Sequence, residues 1–444
     1  MPQQIALAKV EASYRRMGEN ERPLATAPEP TRAHMIGLDG VRVFAILLVL
    51  VIHCDHWPLQ QAGADQVWWS GVDLLARPAV PLFVMLSGFL LTHRHQDRLS
   101  LRTFLRRRMG RSLLPWMAWM PVYALVGVYL TGEVQASGVG VMQWVALGSG
   151  HLWYLLLIPQ LYVMFQLWPS RLRWSVTAAL VALAVQVGLC VYRLWGPADG
   201  PANGWFLPYG YEFFVFWVGY FGLGATLGAV IAQRGGLNWP SWPFWLALSG
   251  PAALLLALNV SAAPNASYAQ GTGAFLRPEL PLLVVPLFFA VFLLTEKLLA
   301  GRSRLEAGVR ALSRYSLGIY LVHAAITYLP GRVMAFALLQ QHLPLSLLGF
   351  ALEVLATLLL SLAAVRLIVA TPISIVIGLP PEPFSWQQRW SPRGRRSRLG
   401  VDGTPSPAGG SPDVSNRGGQ TSSDDGNLSR PGSLAGNSRG QTAQ

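Results

Sequence analysis

The sequence predicts an all-α integral membrane protein of about ten transmembrane helices, with both termini in the cytoplasm. Three observations carry this. Hydrophobic residues make up 52% of the 444-residue chain and charged residues only 12%, about half the share usual in a soluble domain. Apolar runs close to the ~20 residues that cross a bilayer as a helix recur along the chain. Lys and Arg crowd every second connection between those runs. A soluble fold this poor in charge would lack polar surface to cover its cores, which excludes a soluble enzyme, a disordered scaffold and a disulfide-stapled module. Lipid offers the backbone no partner, so the spanning elements are helices rather than strands.

Residues 1–35 are polar and mixed in charge, a short cytoplasmic tail. Apolar segments follow at about 38–56, 72–93, 113–131, 151–169, 174–194, 211–232, 242–260, 281–299, 313–330 and 345–370, within an expected membrane domain of 36–372. The run Val43–Ile52 has the length of a signal-peptide core, but the long mixed-charge tail before it favours a retained helix. The even connections and the segment ends beside them hold fifteen Lys and Arg, from Arg94 to Arg111, at Arg171 and Arg173, at Arg234, and from Lys297 to Arg314. The odd connections hold Arg277 and Arg332. This alternation places the even connections in the cytoplasm of a multi-pass plasma (inner) membrane protein. Trp57, Trp68, Trp69, Trp144, Trp153, Trp205 and Trp242 fall near the expected interfaces, as an aromatic belt does. Residues 373–444 read as a cytoplasmic tail, basic at Ser391–Arg398 and then low in complexity. Its basic start suits anionic lipid head groups.

The net charge of +13 belongs to cytoplasmic loops and not to a nucleic-acid face, for which no soluble surface is available. Cys54 and Cys190 lie in or beside apolar runs and are expected as buried free thiols. No internal repeat, phosphate loop, dinucleotide fingerprint or metal-ligand spacing is present, so no metal is expected.

Ionisable residues inside a membrane helix are costly and are candidates for function. Here they are Arg42, His53, Asp73, Arg77, His151, Glu212, His323 and Glu353. Arg42 and His53 are 11 residues apart on the first helix. At ~100° and ~1.5 Å per residue they share a face and lie ~16 Å apart in depth, Arg42 near the cytoplasmic end and His53 near the outer end. Arg42 also suits snorkelling or a local pair with Asp39, and His53 a packing role. Asp73 and Arg77 form an i, i+4 pair. By depth they lie level with His53, Asp55, His56, His151 and Glu212, giving an outer polar cluster or a structural ion-pair network. An imidazole such as that of His53, oriented by a carboxylate such as Asp73, can take a proton from a hydroxyl. Pro81–Thr92 contains Ser87 and Gly88, where a ligand or a second backbone approaches closely. The arginines after it, clustered to Arg108 and Arg111, suit a phosphate-bearing ligand as well as topology.

These residues sit in segments that resemble the membrane-bound acyltransferase 3 family. GLDGVRVFAILLVLVIHC resembles its first-helix signature, with Arg42 and His53 separated by ten residues. LFVMLSGFLL resembles its second-helix segment, FLRRRMGRSLLP its Arg-x-x-Arg motif at Arg108, Arg111 and Pro115, and HLWYLLLIPQLY its Trp-centred fourth helix at Trp153. SLGIYLVH resembles its late motif at Ser316, Gly318, Tyr320 and His323. The matches run in order through roughly residues 36–370.

The resemblance implies an integral membrane O-acyltransferase that moves an acyl group, usually acetyl, from acyl-CoA to a hydroxyl of a sugar or surface glycan. It implies His53 as the base, Arg42 as a donor contact, and Arg108 and Arg111 on the CoA phosphates. A pantetheine arm passing Ser87 and Gly88 would bring the thioester toward His53. Asp55, Arg77, His151, Trp153, Glu212, Tyr320 and His323 remain an acceptor site or a structural polar cluster. Acyl-CoA is a donor substrate, and no tightly bound cofactor is implied. Many members carry a fused extracytoplasmic domain. None is seen in this sequence, so beyond the bilayer, acyl-CoA and the glycan acceptor the chain is expected either to act alone or to hand its acyl group to a separate extracytoplasmic transferase. Two other functions fit a polytopic chain: a transporter or flippase of a lipid-linked sugar, against which the lack of repeats argues, and a non-catalytic partner of a glycan synthase.

Overall fold

The structure, a computed structural model, describes residues 34–54, 66–94, 101–128, 150–197, 212–234, 240–258, 275–327 and 347–380. Among them there are helices and no strand. The chain divides into two units, Met1–Phe384 and Ser385–Gln444, and every described residue lies in the first. The helices are α1 Ile36–Cys54, α2 Gln66–Ala76, α3 Ala79–Arg94, α4 Leu101–Val126, α5 Trp153–Leu167, α6 Leu172–Trp195, α7 Val218–Arg234, α8 Trp242–Leu258, α9 Leu280–Leu299, α10 Ser303–Thr327 and α11 Leu347–Val369.

Each of the ten apolar segments lies on this helical framework, but the segment at 72–93 is not one straight helix. α2 ends at Ala76, Arg77 and Pro78 form a turn, and α3 restarts at Ala79. Pro78 has no N–H for the ladder and its ring crowds the preceding turn. The segment at 211–232 is likewise a short 3-10 turn, Phe214–Phe216, followed by α7.

Among the described residues five spans are long and apolar enough to cross a membrane: Ile36–Cys54, Gly71–His93, Leu172–Trp195, Leu280–Leu299 and Leu348–Val369. The others fall short for visible reasons. α5, α7 and α8 are shorter than 18 residues. α4 carries Arg102 to Arg111 and α10 carries Arg304 to Arg314 in their first halves. Gly71–His93 is 78% buried and Leu172–Trp195 only 22%, so α2–α3 form the centre and α6 the rim. The rim exposes Leu180, Val181, Leu355, Leu359 and Leu367, an apolar surface of the kind lipid covers.

Close approach of backbones builds the centre. On α7, Gly224 faces the Met85 carbonyl and Gly228 the Phe89 carbonyl, while Gly88 of α3 faces the Phe221 carbonyl and Ala225 N. This is the small-residue packing by which membrane helices associate, and the order of the contacts makes α3 and α7 parallel. α6 and α7 run antiparallel: Gly219 N donates to Gln186 Oε1 at 2.9 Å, and Ser175 Oγ meets Thr226 Oγ1 at 2.8 Å. α1 and α10 run parallel, because Arg42 meets Ser313 and His53 meets His323.

Past α11 the chain turns through a 3-10 segment, Pro372–Ile377, and Gly378 at φ +71°. Ser374 and Ile377 are buried, and Trp119 Nε1 donates to the Val376 carbonyl at 3.1 Å. The folded body therefore continues beyond the expected boundary at 372, because the turn docks on α4. The rest of the expected tails, 1–33 and 381–444, lies outside the described residues. Cys54 and Cys190 are buried and form no disulfide, as expected.

Candidate active site

Three histidines from three separate elements converge. His53 closes α1, His151 sits in the 3-10 turn Gly150–Leu152 before α5, and His323 lies on α10. Ring centroids are 4.8 Å apart for His53 and His323, 5.0 Å for His151 and His323, and 5.7 Å for His53 and His151. His151 and His323 are buried, whereas His53 is half-buried and is the most accessible ring of the three.

The walls of this cluster are rigid. The Tyr320 hydroxyl donates to the His151 carbonyl. The Tyr123 hydroxyl donates to the Leu321 carbonyl at 2.7 Å and accepts from Ala325 N at 3.0 Å, and its ring meets His151 edge-on at 4.5 Å. The Thr327 hydroxyl donates to the His323 carbonyl at 2.9 Å. His323 Nδ1 lies 2.7 Å from the Tyr320 carbonyl and 3.1 Å from the Ile319 carbonyl. Carbonyls only accept, so Nδ1 carries the proton and Nε2 is the bare nitrogen of the neutral ring. Among the described residues neither His323 Nε2 nor His151 Nε2 has a hydrogen-bond partner.

At the other end of α1, Arg42 Nη1 donates to Ser313 Oγ at 2.9 Å, and Ser313 Oγ donates to Asp39 Oδ1 at 2.6 Å. Arg42 also lies 3.6 Å from Asp39, and His34 Nε2 is 2.6 Å from its second oxygen. Gly37 N donates to Glu296 Oε1 at 2.8 Å. The local pair of Arg42 with Asp39 is thus present within a larger network that joins α1 to α9 and α10.

Helix α5 connects the two regions. His151 precedes it. Tyr154 interacts with the Ser87 side chain and lies in the field of Arg42, and its ring is 5.9 Å from that of Tyr320. Two turns further, Tyr162 accepts a hydrogen bond from Arg108 and feels Arg111. Arg108 also lies 5.9 Å from the Phe104 ring, and Arg111 is exposed. Ser87 donates to the Phe83 carbonyl at 2.8 Å. Gly88 is pressed against α7, so its lack of a side chain serves helix packing.

The expected outer cluster separates into parts. His53, His151, Tyr320 and His323 form one group. Asp73 and Arg77 form another: Arg77 holds both carboxylate oxygens, Nε to Oδ2 at 3.1 Å and Nη2 to Oδ1, and its Cζ stands 4.7 Å from the Phe275 ring. Trp153 stacks on Trp217 at 5.3 Å and meets Phe275 at 6.0 Å. Glu212 is placed elsewhere along α5. Its carbonyl accepts from Gln160 Nε2 at 2.8 Å, the same amide that donates to Leu156 O. The chain is irregular at 212–217, so helical depth counting did not apply there. Asp55 and His56, and the side chains of Arg106 and Arg107, lie outside the described residues. No three His, Cys, Asp or Glu among the described residues are placed to hold a metal ion.

Sequence reasoning missed Ser313, Tyr123, Tyr154 and Tyr162, and reached Asp39 only as a local partner of Arg42. The two tyrosines of α5 carried a signal, since an eight-residue spacing returns near the same helix face. The partners of Ser313 and Tyr123 lie far along the chain and left none.

A family profile described as an acyltransferase domain matches residues 35–371. The chain is similar to the acyltransferase MdmB of Streptomyces mycarofaciens, 24% identical over 389 residues, covering 79% of this chain and 94% of that protein. No solved structure matches the chain.

Proposed function

We propose, from the premise that the chain belongs to the acyltransferase 3 family, that it is a multi-pass plasma-membrane O-acyltransferase using acyl-CoA and the hydroxyl of a sugar or glycan. The observation that carries the reading is the pairing of α1 with α10: an arginine at one end of α1 and a half-buried histidine, backed by two buried histidines, at the other. Arg108 and Arg111 hold the CoA phosphates. The acyl arm runs along α5 past Ser87 and Tyr154 toward the histidines. His53 takes the proton of the acceptor hydroxyl as its oxygen attacks the thioester carbonyl. The carbon–sulfur bond breaks, and the imidazolium returns the proton to the CoA thiolate. Membranes containing the protein, supplied with radiolabelled acetyl-CoA, are expected to transfer label to a glycan or glycosylated acceptor. Membranes lacking it are not. Equal labelling in the two would remove the reading.

In the same reading the chain crosses the bilayer ten times with both termini in the cytoplasm, which the parallel pairs α1–α10 and α3–α7 and the antiparallel pair α6–α7 support. Mapping with accessible cysteines is expected to place Arg98, Arg304 and Ser406 in the cytoplasm and Gln61, Ser137 and Asn203 outside. Arg98 and Gln61 on one side would contradict it.

The donor site has its own test. Arg108→Ala and Arg111→Ala are each expected to cost ~1.5–3 kcal/mol of donor binding, the worth of a charge-assisted contact, read as about a ten- to hundredfold rise in the KM for acyl-CoA. Arg111 is exposed, so its loss leaves packing intact, and an unchanged donor KM in that variant would make it a topology signal alone.

A further inference from the structure

We propose that His323 orients His53 and shares its proton during acyl transfer, an inference that rests on the reading of His53 as the base. The tautomer of His323 is set by the main chain: Nδ1–H points at the Tyr320 and Ile319 carbonyls, which leaves a lone pair on Nε2. That nitrogen is buried and without a partner among the described residues, and an acceptor left so is costly unless it serves a transient bond. The residue is wholly buried, so no acceptor molecule reaches it without passing the neighbouring rings, of which His53 is the nearest and the most accessible. Two imidazoles joined by an N–H···N bond of ~2.9 Å have ring centres ~5 Å apart, and His53 and His323 stand at 4.8 Å. A small rotation of the half-buried His53 ring brings its N–H onto Nε2. His151 is further from His53, at 5.7 Å, and closes the other side of the cluster.

The chemistry follows from the tautomers. When the N–H of His53 donates to His323 Nε2, the other nitrogen of His53 is the bare one and faces the acceptor hydroxyl. As the hydroxyl oxygen attacks the thioester, its proton passes to that nitrogen, and the opposite N–H of His53 moves onto His323 Nε2. The new oxygen–carbon bond forms and the carbon–sulfur bond breaks. The two protons then shift back, and the CoA thiolate leaves as the thiol. A histidine here holds the tautomer of the base, as a carboxylate does in a Ser-His-Asp triad, and unlike that carboxylate it also takes up the proton. The clamping of α10 by Tyr123 of α4, bonded to the Leu321 carbonyl and to Ala325 N, keeps Nε2 in place.

The test uses the full chain in membranes with radiolabelled acetyl-CoA, comparing His323→Ala, His323→Gln and His53→Ala. The glutamine carbonyl can accept the His53 N–H but cannot take up a proton. His323→Ala is expected to lower turnover ~10²-fold, within the range of acid–base contributions, with the donor KM within about twofold of wild type. His323→Gln is expected to recover about tenfold of that loss. Wild-type turnover in inserted His323→Ala protein, or glutamine no better than alanine, would overturn the proposal. If the alanine variant does not insert, His323→Gln decides alone: intermediate turnover at unchanged donor KM supports the relay, and wild-type turnover removes it. His53→Ala separates the two readings. Its loss of turnover beside an unaffected His323→Ala leaves the base standing without the relay. Wild-type turnover in His53→Ala removes the base itself.

Discussion

His53→Ala is expected to lower acyl transfer by ~10²–10⁴, the contribution of a positioned general base, while the protein still inserts and still binds acyl-CoA. Insertion should survive because the ring is half-buried at the end of α1, where the helix is held by Val41, Ala45, Ile46, Val49 and Leu50 in the core. Donor binding should survive because Arg42, Arg108 and Arg111 sit away from the change, Arg42 bonded to Ser313 and Arg108 to Tyr162. The measurement is turnover at saturating acyl-CoA together with the donor KM. A packing histidine would behave in the opposite way, with a reduced folded yield and normal turnover in whatever folded. His93 supplies that comparison. Its ring is buried and stacked on Phe89 at 5.5 Å at the far end of α3, so His93→Ala should reduce yield and leave turnover alone. His323 cannot serve as this control, since its ring touches that of His53. If His53→Ala kept full turnover in well-inserted protein, the base would have to be sought among the other rings of the cluster.

The part of this site that could be read from the chain lies on single helices. Arg42 and His53 share a face because both ride on α1, and helical arithmetic needs nothing else. The same holds for the bond between Asp73 and Arg77 one turn apart. Depth counting set His53, Asp73 and His151 at one level, yet it left His323 out of that group. It failed because α10 starts at Ser303, well before the apolar run, and because the offset between α1 and α10 is set by the bond from Arg42 to Ser313. Such an offset is a property of two packed surfaces and has no local signature. Glu212 was misplaced for another reason, since a 3-10 turn does not advance at the helical rise. Of the apolar segments that do not qualify as spans among the described residues, three lie on helices that are too short and two fail for a related cause. Arginines carried into α4 and α10 belong to the same continuous helices as the apolar stretches, so charge and span share one element.

Gly88→Val is expected to remove folded protein almost entirely, and Gly88→Ala to reduce it sharply, without a selective change in the donor KM. A β-carbon at Gly88 would lie against the Phe221 carbonyl oxygen, 2.9 Å from Ala225 N and 3.1 Å from the Phe221 carbonyl carbon. All three are backbone atoms of α7 and cannot rotate away as a side chain would. α3 would have to move off α7, and the same interface holds Gly224 against the Met85 carbonyl and Gly228 against Phe89. Overpacking a tight core costs ~1–3 kcal/mol even where side chains can yield, and marginal stability of ~5–15 kcal/mol leaves little room for more. The variants would be compared by folded yield in detergent and by donor KM in the fraction that folds. Ser87→Ala is the companion. Ser87 is half-buried, its hydroxyl bonds the Phe83 carbonyl on its own helix, and it interacts with Tyr154 on the proposed donor path. Its loss should leave yield intact and act on the donor KM. A well-folded Gly88→Ala protein with a raised donor KM would move Gly88 from the helix interface to the donor path.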